Sequence, residues 1–201
     1  MSIDERGLLN LFIEASKLMT NENDRCKNLI YTQTESGKHI IREPEATCVF
    51  TNLLASKGIN FGVEVPTKER YIISGKKPDS ADTDLSIFQK NEQINIEFKT
   101  RQPVIKTIMK DFLKFFGEEV KGCAFFHILK NRDSKTITKL LKKYEEAYID
   151  TEKLVDKPRK KWFLFFIFVK EKKECYWQLF NDIVKISSDD FNLNKFKSEQ
   201  L

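Results

Sequence analysis

Asp84, Glu97 and Lys99 are the residues of this chain whose types and spacing suit a reaction centre. They lie in the stretch "TDLSIFQKNEQINIEFK", Thr83 to Lys99. Two carboxylates are hard oxygen donors of the kind Mg²⁺ or Mn²⁺ takes. A neighbouring ammonium can steady a bound anion and orient, or take a proton from, a water beside it. Glu-x-Lys occurs three times, at Glu97–Lys99, Glu119–Lys121 and Glu171–Lys173. Only the first is embedded in an alternating apolar run. Ile94, Ile96 and Phe98 there alternate with Asn95, Glu97 and Lys99, so Glu97 and Lys99 share one side of a strand. The second copy reads as a helix end and the third as a solvated link between strands.

A strand pair must bring Asp84 to them. "TDLSIFQ" and "QINIEFK" read as strands joined by a short turn at Lys90 and Asn91. A turn centred there sets residue 89 opposite 92 and residue 84 opposite 97. Asp84 and Glu97 then sit about 5 Å apart at Cβ, where like charges repel. A divalent cation between them reverses the sign of that interaction. A slip of one residue would undo the arrangement.

Further elements frame the pair. "DERGLLNLFIEASKLM" has helical spacing in Leu8, Leu9, Phe12, Ile13 and Met19. "PEATCVFTNLLASKG" predicts a second helix, with Pro44 in its first turn and Gly58 at its C-terminal cap. "NFGVEVPT" reads as a strand ended by Pro66. "PVIKTIMKDFLKFFGEE" predicts an amphipathic helix with Ile105, Ile108, Met109, Phe112 and Phe116 on one stripe. Lys106, Lys110 and Lys114 are expected on roughly the opposite face. "GCAFFHIL" is an apolar strand, "TITKLLKKYEEAYI" a helix, and "KWFLFFIFV" and "CYWQLF" the last strands. The tail from Ser187 is polar and weakly patterned. The order predicts an α/β fold with a central mixed sheet flanked by helices.

Asp84, Glu97 and Lys99 on this succession resemble the PD-(D/E)XK, or restriction-endonuclease-like, nuclease superfamily. The family core runs α-β-β-β-α-β, an order matched from Pro44 to Leu129, with extra C-terminal strands beyond it. Residue 83 is Thr where the family name has Pro, a letter that binds nothing. The resemblance implies Asp84 and Glu97 as metal ligands for Mg²⁺, with Mn²⁺ as substitute, and Lys99 as the group handling the attacking water and the phosphate. It also implies a helix acid, Glu45 in preference to Glu43. Asp82 is read as a solvated spare. The implied activity is a Mg²⁺-dependent DNA endonuclease, restriction-like or associated with mobile elements. The competing readings are a catalytically inactive nucleic-acid-binding or assembly module on the same fold, and a nuclease acting on RNA or branched DNA.

Length and charge agree with such a partner. The chain has 201 residues and a formal net charge of +5. One domain is expected, with an N-terminal helical extension over 1–43, a catalytic core over 44–130 and a completing segment over 131–201. The positive charge concentrates in residues 101–143, where 11 basic side chains meet 4 acidic ones. That segment suggests a polyanion such as duplex DNA. The lysine stripe Lys106, Lys110 and Lys114 is the expected contact with its phosphates. A homodimer would supply two sites for two strands. "MSIDERGLLN" is no signal peptide and "WFLFFIFV" is too short to cross a bilayer, so a cytoplasmic protein without membrane contact is expected. Cys26, Cys48, Cys123 and Cys175 show no C-x-x-C spacing and are expected as reduced thiols. "SGKK" lacks the spacing of a P-loop, and no G-x-S-x-G occurs. His127, inside an apolar strand, is expected to be packed rather than catalytic.

Overall fold

The computed structural model describes residues 3–20, 32–33, 39–71, 81–130 and 133–201. Cys26, the side chain of His39 and most of the "SGKKPDSAD" segment lie outside the described residues.

Helix α1 (Glu5–Thr20) buries Leu8, Leu11, Phe12, Ala15 and Met19 along one side. After the two-residue ladder of β1 (Thr32–Gln33) and β2 (His39–Ile40) comes α2 (Glu43–Ser56). Gly58, at φ +66°, ends α2. Its N–H donates to Ala55 O and the N–H of Ile59 to Leu54 O, both at 3.0 Å. That crossed pair satisfies two of the helix's last carbonyls, and only a residue at ease in left-handed geometry supplies it cheaply.

Among the described residues the main sheet has seven strands in chain order: β3 (Phe61–Pro66), β4 (Asp82–Gln89), β5 (Glu92–Thr100), β6 (Gly122–Leu129), β7 (Trp162–Val169), β8 (Glu174–Phe180) and β9 (Lys197–Gln200). β3, β4 and β5 form an antiparallel meander. Helices α3 (Ile105–Gly117) and α4 (Ser134–Glu152) then carry the chain into β6 and β7, which run parallel to β5. β8 and β9 return antiparallel. The tail from Ser187, polar and weakly patterned in sequence, holds short 3-10 turns and then β9, whose "KSEQ" carries no apolar alternation to announce a strand.

Each face of the sheet has its own helical layer. α1 and α2 cover Ile94, Ile96, Phe98, Phe126, Phe166 and Phe168. α3 and α4 cover Phe125, Phe163, Phe165 and Ile167. β6 and β7 are buried on both faces, which is why they read as unbroken apolar runs. Gly122 opens β6 beneath an indole: a Cβ there would lie 2.0 Å from Cε2 of Trp162. Among the described residues no helix is long and apolar enough to cross a membrane.

Candidate active site

Pairing between β4 and β5 runs from Gln89 opposite Glu92 to Leu85 opposite Ile96. This is the register that sets Asp84 against Glu97. At that level a side chain joins the strands: Oδ2 of Asp84 accepts from the Phe98 N–H at 2.8 Å. Glu97 and Lys99 point to the α3–α4 side, beside Phe125 and His127 of β6.

Lys99 sits among three carboxylates. Its Nζ lies 3.1 Å from Asp111 Oδ2, 3.5 Å from Glu97 Oε2 and 3.7 Å from Asp84 Oδ2, and it donates to the Phe98 carbonyl at 2.9 Å. Burial pulls this amine toward neutrality, but Asp111, Glu97 and Asp84 together outweigh it and push its pKa up. Lys99 is therefore an ammonium. Glu97 is 1% exposed. Burial first, and the charge of Asp111 second, raise its pKa well above the usual carboxylate range against the pull of Lys114 and Lys99.

Lys114 does not belong to a surface stripe. Its side chain is 3% exposed, in a short contact with Glu97 Oε1, 3.0 Å from Asp111 Oδ1 and 3.0 Å from the Asp82 carbonyl. Helical geometry gives the reason. Eight residues turn an α-helix through about 80° beyond two whole turns, so Lys114 is swung toward the sheet relative to Lys106. Lys106 stays exposed and Lys110 half-buried. Asp111 and Lys114, one turn apart on α3, are members of the cluster that the sequence reading missed. The available signal was an acid and a base interleaved with Phe112, Phe115 and Phe116 on the inward side.

The helix acid that reaches the site is Glu43, where Glu45 was preferred. Glu43 Oε1 accepts from the Thr100 N–H at 3.1 Å. Burial raises its pKa, offset in part by Lys99. Glu45 turns back on its own helix, where Oε2 accepts from the Arg42 N–H at 3.0 Å. An acid three positions into a helix commonly makes that bond. Asp82 offers its backbone carbonyl to Lys114 while its side chain stays exposed.

His127 stands behind Lys99 and is fully buried, its pKa lowered to about 3, chiefly by burial. Its Nε2 lies 2.7 Å from the Arg101 carbonyl and its Nδ1 2.9 Å from the Tyr144 hydroxyl. A carbonyl only accepts, so Nε2 carries the proton and Nδ1 accepts from Tyr144. Neither nitrogen is left for chemistry.

Asp84, with its side chain 35% exposed, is the cluster's opening. It lines a groove of about 480 Å³ with Glu43, Pro44, Thr47, Cys48, Val63 and Glu64. Glu64 lies between the paired positions Val63–Leu85 and Val65–Thr83, level with Asp84, and holds φ at +49°. Three carboxylates thus face the groove: Glu43, Glu64 and Asp84.

The donor set suits a hard divalent cation. When ionised, Glu43, Asp84, Glu97 and Asp111 against Lys99 and Lys114 sum to −2. Oδ2 of Asp111, buried, has Lys99 as its ionic partner at 3.1 Å and makes no hydrogen bond. Among the described residues no thiol or free imidazole touches the four carboxylates, Cys48 lying only along the groove wall, so a hard ion is favoured. Among the described residues no three acids, histidines or cysteines converge as a ready-made cage. Lys99 and Lys114 stand among the oxygens. Mg²⁺ needs no full protein cage, since it usually keeps several waters and takes one or two carboxylates.

No protein-family model, curated protein or solved structure matches the chain.

Proposed function

We propose that the chain is a Mg²⁺-dependent endonuclease that hydrolyses DNA phosphodiester bonds on a restriction-endonuclease-like core. One observation carries the reading. Asp84, Glu97 and Lys99 meet at a strand pair, with Glu97 and Lys99 buried, and the cluster opens through Asp84 onto an acid-lined groove. Buried charges cost several kcal/mol each, and an apolar core would be easier to build here. Chemistry gives such a cluster a use.

Asp84 and Glu97 would hold the ion, with Glu43 reaching it from the groove. Bound Mg²⁺ polarises a phosphate and lowers the pKa of its water. Lys99, held as an ammonium by three carboxylates, donates to the phosphate oxygens as negative charge gathers on them. β5 fixes its stem, so little reorientation is needed when substrate arrives. The basic stretch around the site supports DNA as the polyanion: Arg101, Lys106 and Lys139 are exposed beyond the end of β5 and on the two following helices. A homodimer acting in the cytoplasm, one site per strand, completes the reading.

The test is cleavage of plasmid and single-stranded DNA, with Mg²⁺ and with chelator. Wild type should cut only with the metal. Asp84→Asn, Glu97→Gln and Lys99→Ala should each lose about a hundredfold or more in rate, with the fold and metal-free DNA binding retained. Retained binding with no cutting by wild type would favour the binding-module alternative. Cutting of RNA or branched DNA alone would change the substrate.

A further inference from the structure

Helix α3 places a cation where the ion's ligand should be free. Glu97 has Oε1 against Lys114 and Oε2 3.5 Å from Lys99. Each oxygen keeps a second lone pair, but a buried ammonium bonded to Oε1 offsets the charge that would draw a metal and competes with it for the carboxylate. Lys99 is fixed on the same strand two residues away. Lys114 comes from a different element and has two other acceptors in reach, Asp111 Oδ1 and the Asp82 carbonyl, each at 3.0 Å. It can leave Glu97 without becoming an unpartnered buried charge.

We propose that Lys114 is an internal counter-cation that holds Glu97 in the metal-free protein and is displaced from it on loading, so that α3 sets the site's affinity for the ion. The inference rests on the reading of Asp84 and Glu97 as ligands of a divalent cation. Asp111 is its counterweight: it retains Lys114 after the exchange and adds negative charge to the cluster. Removing Lys114 takes the ionised cluster from −2 to −3. Neutralising Asp111 takes it from −2 to −1. The two changes should therefore move affinity in opposite directions, which general destabilisation would not do.

Mn²⁺ is the probe, titrated calorimetrically and by electron paramagnetic resonance into the full chain, without DNA. Lys114→Met should bind it about tenfold or more tighter than wild type, and Asp111→Asn about tenfold weaker. The melting temperature of Lys114→Met should also rise further with Mn²⁺ than that of wild type. Equal or weaker binding by Lys114→Met, with wild-type circular dichroism, overturns the inference and leaves the nuclease reading standing. If Lys114→Met does not fold, Asp111→Asn decides: unchanged affinity there overturns it. No Mn²⁺ binding by wild type at millimolar concentration takes down both readings together.

Discussion

The two faces of β5 are built from alternate residues of one strand and obey different rules. Ile94, Ile96 and Phe98 turn toward α1 and α2 and enter a dry core of aliphatic and aromatic side chains. Phe98 and Phe126 lie 5.6 Å apart at their ring centres, and Phe12 and Phe126 4.6 Å apart. Asn95, Glu97 and Lys99 turn the other way and are as deeply buried. Asn95 accepts from Ser86 Oγ at 2.9 Å and from Gln93 Nε2 at 2.7 Å, and the other two join the ionic cluster. Burial on the first face stabilises by about 2 kcal/mol per large side chain. On the second, removing one partner of a buried ion pair costs about 3–5 kcal/mol, because the other is left uncompensated. One face holds the fold; the other is kept in balance by it.

The sharpest break of this contrast is Phe126→Ala. It should cost about 4 kcal/mol in denaturant unfolding, while the Mn²⁺ affinity of the protein that remains folded stays within about twofold, since the cavity opens on the far side of the sheet. A large change in ion binding would mean that the two faces are not separable.

A second test uses acid. His127 sits on the ionic face yet is neutral, its folded pKa lowered to about 3 from an unfolded value of about 6.5. Between those values the unfolded chain binds a proton that the folded one does not. Stability from this group is fully present above about pH 6.5 and is lost as pH falls toward 3. Between pH 7 and pH 4 its share of the loss should be about 3 kcal/mol. His127→Gln should flatten the pH dependence of unfolding by that amount. An identical curve for the variant would refute the buried neutral state.

Much of this was legible beforehand, for a physical reason. Period-two alternation and a two-residue turn fix both the register of β4 and β5 and the shared face of Glu97 and Lys99. What failed depended on tertiary placement. Lys114 looked like one more surface lysine, because a spacing of four is nearly, but not quite, one helical turn and the drift shows only after two steps. Asp111 lies outside that spacing, and only its place among Phe112, Phe115 and Phe116 marked it as inward. Glu43 and Glu45 differ by two residues, about 200° around a helix, and only the position of Thr100 shows which of them meets β5. β9 has no apolar pattern to betray it.

The smallest expected effect separates those two acids. Glu45→Ala should cost about 1 kcal/mol through the lost bond to Arg42 and leave Mn²⁺ binding unaltered. Glu43→Ala should weaken that binding at similar stability. Equal effects on both measurements would erase the distinction between a helix-end acid and a groove acid.

The left-handed turn of the backbone at Glu64 also bears on how copies of the chain can associate. β3 is one margin of the sheet, six residues long, interrupted midway by Glu64 and closed by Pro66, which has no N–H to offer. The opposite margin, β9, is four residues of "KSEQ". Neither rim presents a long, flat, apolar ladder, and such rims resist edge-to-edge addition. Two copies would therefore have to meet through helices or loops rather than by fusing their sheets, and the groove beside β3 would stay open to a large substrate.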